Sequence, residues 1–164
     1  MTETEWTASS NPEAMLTFIR EQVSPRQMRL FGCACCRIFW SKLKDTACRS
    51  AVVMAEGYAD GLAVFENLQI LRAEIRESPQ VSPPRLVNAA HAVTREAAWA
   101  GALQASHEVV QHVRLPRGSR QPYSSAKGDV YRQQADLVRD IFDNCFRPVA
   151  IDPAWLAWND GTVV

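Results

Sequence analysis

One stretch constrains this chain more than any other: SPRQMRLFGCACCRIFWSKL, residues 24–43. Ser24 followed by Pro25 is a helix start, a capping side chain and then a ring preset for the first helical position. From there Met28, Leu30, Phe31, Cys35, Ile38, Phe39 and Leu43 occupy a wider arc than the single apolar stripe of a surface helix. A helix over 25–43 with that arc must be covered on several sides. Gly32 and Ala34 are small enough for another helix to come close. Arg26, Arg29, Arg37 and Lys42 must leave by the remaining side or snorkel.

The rest of the chain supplies amphipathic cover. Thr2 with Glu5 makes a capping-box signal, and Asn11-Pro12 opens a helix with Met15, Leu16, Phe18 and Ile19 on one face. Asp45 is placed to cap a helix from Thr46 to about Tyr58, which Asp60-Gly61 ends. Phe65, Leu68, Leu71 and Ile75 recur at threes and fours and predict a helix over 64–77. The stretch SPQVSPPR, residues 78–85, reads as a turn. Ser82 and its prolines then open the longest predicted helix, alanine-rich, over 84–113. Gly101 inside it costs about 1 kcal/mol relative to alanine and marks a break or a close contact. A mobile basic loop is expected over 114–128, and a last helix over 129–144. The tail, CFRPVAIDPAWLAWNDGTVV, reads as irregular, with Phe146, Trp155 and Trp158 folding back as a lid. No alternating run argues for a strand. The expected fold is all-α: one helical domain over 1–164, an irregular bundle of about five or six principal helices with a non-regular aromatic C-terminal tail.

Composition narrows the class. With 164 residues, 47% hydrophobic and 22% charged, the chain can bury a sizeable core and is not of disordered type. The net charge is zero, so nothing draws the surface as a whole to DNA or to an anionic membrane. No apolar run reaches the ~18 residues of a spanning helix. The start, MTETEWTASSNPE, is too acidic and polar for a secretory signal. Five cysteines is an odd number, and the adjacent Cys35 and Cys36 are badly placed to pair. Free thiols and a cytoplasmic setting are expected.

Three features could carry chemistry. Cys33 and Cys36 share a helix face, and Cys48 approaches if two helices form a hairpin. With Cys145 or a histidine they would make a zinc shell, but structural zinc usually takes C-x2-C from turns, and no second such pair exists. Buried small apolar side chains are the expected role for these thiols, and no cofactor is expected. His107 and His112 in HEVVQH are five apart, about 140° round a helix, so the metalloprotease pattern does not form. They are expected on the surface near a helix C-terminus. Residues 25–49 carry a net +5 and residues 114–132 a net +4. Arg114, Arg117, Arg120, Lys127 and Arg132, with Tyr123 among them, could contact phosphates and stack on a base. No nucleophile with a base, phosphate-cradling glycine loop or paired carboxylates stands out, so the sequence leans away from an enzyme.

Several stretches resemble an uncharacterised helical family expanded in planctomycetes: TETEW around Trp6, RLFGCACCRIFW over 29–40, AEGYADGLA over 55–63 and RDIFDNCFRPVAIDPAWLAWNDGTVV over 139–164. The resemblance implies a family without an assigned activity and carries over no catalytic residues. It also implies members that continue past the equivalent of Val164, so either a truncated form or a short member is expected. The resulting expectation is a non-catalytic interaction or regulatory module that binds another protein or its own copy. The alternatives are a nucleic-acid accessory protein using the two basic segments, and a cysteine-based metal or redox site.

Overall fold

The computed structural model describes residues 1–113 and 123–147, the side chain of Tyr123 excepted. Among the described residues there are eight α-helices and no strand: α1 Glu3–Ala8, α2 Pro12–Ile19, α3 Pro25–Arg37, α4 Thr46–Ala59, α5 Phe65–Glu77, α6 Pro84–Val93, α7 Ala98–His112 and α8 Tyr123–Phe142. Short 3-10 turns at Arg20–Gln22 and Trp40–Lys42 follow α2 and α3. The helices from α3 to α8 are the principal ones, and they form the irregular bundle expected of the sequence.

The apolar stretch is at the centre. Helix α3 packs against α4, α6, α7 and α8, while α5 lies at an edge against α4 and α6. Phe31, Cys33 and Cys35 are sealed completely, and Met28 nearly so. Gly32 is needed for this packing: a Cβ there would stand 3.0 Å from Ala102 Cα on α7 and 3.2 Å from Val93 Cγ1 on α6. The caps read from sequence at Thr2, Asn11 and Ser24 each accept a backbone N–H from the first helical turn.

Four boundaries differ from expectation. Helix α3 ends at Arg37 and tightens into a 3-10 turn before Leu43. The single long helix expected over 84–113 is two, α6 and α7, folded back on each other. Asp45 precedes α4 but does not cap it with its side chain. Its carboxylate instead accepts the N–H groups of Val81 and Ser82 at 2.8 and 2.9 Å, and Ser82 Oγ accepts those of Lys44 and Asp45 at 2.6 and 3.1 Å. Ser82 is therefore a clasp between two links rather than the start of α6. Burial of Asp45 raises its pKa, but these hydrogen bonds outweigh that and hold it below the usual carboxylate value. Finally, residues 123–128, expected as part of a mobile loop, are the first turns of α8. Residues 114–122 of that loop and residues 148–164 of the tail, with Trp155 and Trp158, lie outside the described residues.

The break between α6 and α7 has a side chain in it. Arg29, only 5% exposed, donates from Nη1 to the carbonyls of Val93 and Arg95 at 2.8 and 2.7 Å, and from Nη2 to that of Glu96 at 3.0 Å. Its guanidinium also lies over the Tyr58 ring, 4.9 Å from the centroid. A helix end leaves carbonyls without intrahelical donors, and here one buried cation satisfies them. Replacing Arg29 by methionine should cost at least about 3 kcal/mol in urea unfolding, because hydrophobic volume is kept while the carbonyls lose their donors. Lysine should recover only part of that, since an ammonium has no planar fork. A loss under about 1 kcal/mol for Arg29→Met would show that the carbonyls find other donors.

Candidate functional site

The thiols are interior. Cys33, Cys35, Cys36 and Cys48 are all buried and free, and Cys145 is half-buried. The α3–α4 hairpin does bring Cys48 toward Cys36. Cys33 Sγ donates to the Val52 carbonyl at 3.8 Å. Burial pushes every one of these thiols up, strongly for Cys33, Cys35 and Cys36, and to about 11 for Cys48, where Asp45 adds to the effect. A thiol so placed stays protonated at neutral pH and is a poor nucleophile. Among the described residues no three His, Cys, Asp or Glu side chains are grouped as a metal site. Under native conditions a thiol-exchange reagent should label Cys145 first. Rapid labelling of any of the other four without denaturant would show that the α3–α4 hairpin opens.

The histidines divide. His107 is exposed, as expected, but His112 is buried at 6% exposure, edge-on to the Phe39 ring at 4.9 Å. The expectation that both lie on the surface is therefore corrected: α7 packs on α3, and its last turn turns inward. His91 on α6, which the sequence did not single out, is a strongly perturbed imidazole. Its Nε2 is sealed from solvent without a protein partner. Burial first, then the charges of Arg72, Arg76 and Arg95, lower its pKa from 6.5 to about 4. The unfolded chain therefore binds the extra proton between these values. His91's contribution to stability is complete above about 6.5 and is lost as pH falls toward about 4. His91→Gln should flatten the decline of melting temperature over that window, and an unchanged slope would assign the decline to other groups.

The four arginines of the basic segment over 25–49 are all engaged. Arg26 pairs with Asp60 at 2.7 Å, and Arg37 makes a two-pronged pair with Glu56 at 2.6 and 2.5 Å. Arg29 is buried as described. Arg49 donates to the carbonyls of Leu43 and Trp40 at 2.6 and 3.1 Å, and the guanidinium groups of Arg37 and Arg49 both contact the Trp40 ring. Of the other segment, Arg114, Arg117 and Arg120 lie outside the described residues, and Tyr123 opens α8. Lys127 donates to Gln111 at 3.0 Å and Arg132 to Asp129 at 2.6 Å.

A depression that sequence reasoning missed is an open cleft of about 430 Å³ between α3 and α8. Ala34, Ile38 and Leu137 form its apolar floor; Arg37, Gln133, Asp136 and Asp140 form the rim. The α8 residues recur at threes and fours, one helix face, but their polar majority conceals the cleft in the sequence. Arg37 is held by Glu56, and Asp136 by Arg139 at 2.8 Å. Asp140 has no ion-pair partner among the described residues, so the rim keeps a net negative charge. Among the described residues no helix is long and apolar enough to cross a membrane. No family model, curated protein or solved structure matches this chain.

Proposed function

We propose that the protein is a non-catalytic interaction module whose α3–α8 cleft receives an amphipathic helix from a partner protein. One observation carries this reading: an apolar floor of Ala34, Ile38 and Leu137 lies open beside the unpaired Asp140. Helix-in-groove recognition needs such a floor, filled by residues spaced three and four apart on the incoming helix. The acidic rim favours a basic residue beside that apolar face and would steer its approach. The cleft offers few fixed polar groups to orient a small molecule. The buried, protonated thiols argue against cysteine chemistry. The occupied arginines of residues 25–49 weaken the nucleic-acid reading. Membership of the planctomycete helical family belongs to this proposal and would assign no activity of its own.

A photo-crosslinker placed at Ala34 should capture a defined partner in the native cell. Leu137→Arg should abolish that capture, and Asp140→Arg should weaken it and slow association of the purified pair. Melting temperature and light scattering on the same variants separate loss of binding from unfolding. Capture of the same partner by the well-folded Leu137→Arg protein would overturn the proposal. So would a homodimer that Leu137→Arg dissociates, because the cleft would then be occupied by a second copy.

A further inference from the structure

A second surface is defined by charge. Helix α5 carries Arg72 and Arg76 one turn apart, and the link after α6 carries Arg95. Residues four apart share a helix face. Arg72 is anchored: its Nη1 donates to the His91 carbonyl and to Thr94 Oγ1, both at 3.3 Å. Arg95 is anchored through Nη1 to Gln104 Oε1 at 2.8 Å. Arg76 is exposed and has no hydrogen-bond or ion-pair partner among the described residues. Arg72 thus meets the end of α6 next to Arg95, and Arg76 lies one turn along the same face of α5. Burial, then Arg76 and Arg95, lower the pKa of Arg72, and the same three charges reach His91 beneath them. No carboxylate is among the charges acting on either group. Elsewhere Arg26, Arg37, Arg85, Arg132, Arg139 and Arg147 each have an acidic partner, so this cluster departs from the pattern of the molecule. Like charges held together without a counterion leave room for an anion to complete the set.

We propose that Arg72, Arg76 and Arg95 form a receptor for a phosphate monoester dianion. Guanidinium forks match phosphate oxygens with short charge-assisted hydrogen bonds. Arg72 and Arg95 are already fixed by α6 and α7, which reduces the ordering cost of binding, while the free Arg76 can close on the ligand. A compact group of cations suits a single doubly charged group. An extended phosphodiester strand needs a row of contacts, and Glu66, Glu74 and Glu77 on α5 would repel it. The same dianion is presented by a phosphorylated protein side chain and by a free small molecule, and the two sources are separable by experiment.

The full chain is titrated at about pH 7.5, where a monoester is mostly dianionic, and at constant ionic strength. The probes are inorganic phosphate, O-phosphoserine, a phosphoserine peptide and a single-stranded oligonucleotide, followed by NMR at the His91 ring and the amides of Thr94 to Glu96. Inorganic phosphate and O-phosphoserine should give saturable shifts. Arg76→Gln should weaken them about ten-fold or more, whereas Arg132→Gln on α8 should not, with both variants melting like the parent. A peptide that binds more tightly than O-phosphoserine assigns the group to a protein; equal affinities assign it to a small ligand. Shifts reproduced by chloride, undiminished binding in Arg76→Gln, or tighter binding of the oligonucleotide than of O-phosphoserine would overturn the proposal.

Discussion

The guanidinium of Arg29 in the break between α6 and α7 sets the geometry on which the rest of the bundle depends. Without a donor there, the buried carbonyl of Val93 and the partly buried carbonyls of Arg95 and Glu96 would lose their partner. With it, α6 and α7 fold back as a pair onto α3. The pair approaches closely because the contact points are small. A Cβ on Gly101 would stand 2.6 Å from the Ala92 carbonyl oxygen, and one on Gly32 would press on Ala102 Cα. Alanines fill the spaces between these glycines, so close backbone packing takes the place of large interdigitated side chains over this part of the core.

Arginine serves the same purpose at other ends. Arg49 donates to the carbonyls of the 3-10 turn after α3, and Arg72 to the end of α6. Arg139 on α8 donates to the carbonyls of Trp6 at 3.1 Å and of Ser9, tying the end of α1 to the bundle. In each of these a guanidinium meets backbone oxygen at a helix end, where positive charge is favoured. The polar links between helices are thus fixed from the side by charged groups, and the Asp45–Ser82 clasp does the same for two further links with a carboxylate and a hydroxyl.

These contacts also explain which parts of the fold were legible in the sequence. Helix starts were, because Thr2, Asn11 and Ser24 act on N–H groups within a few residues of themselves. The buried stripe was too, because spacing alone exposes the breadth of the apolar arc in α3. The end of α6 was not. The stretch TREAAWAG around it contains good helix formers and no proline, and what ends the helix there is Arg29, more than sixty residues earlier in the chain. Arg29 itself reads as a surface cation until its partners are known. His112 reads as exposed for a related reason: it is covered by Phe39, in the link that follows α3. The start of α8 was missed because SSAKG has weak helix propensity, and tertiary packing of Ala126 against the core compensates. The cleft and the arginine cluster are harder still, since each joins residues from separate helices whose polar side chains look like ordinary solvated faces.

A chain of zero net charge whose arginines are so widely paired gives uncompensated charge a meaning it would lack on a strongly basic protein. On a basic surface, three neighbouring arginines are a fluctuation in a general field. Here the field averages out, and most guanidinium groups already face a carboxylate or a row of carbonyls. Arg72 and Arg95 are held in place by hydrogen bonds to the end of α6 and to Gln104 on α7. The same reasoning applies with opposite sign to Asp140, a carboxylate beside half-buried aliphatic side chains while its neighbour Asp136 is paired with Arg139. Interior packing in this molecule uses small residues, thiols and buried arginine forks, none of which is free to react. The α3–α8 cleft and the arginine group differ in kind: one is apolar with a negative rim, the other a group of cations.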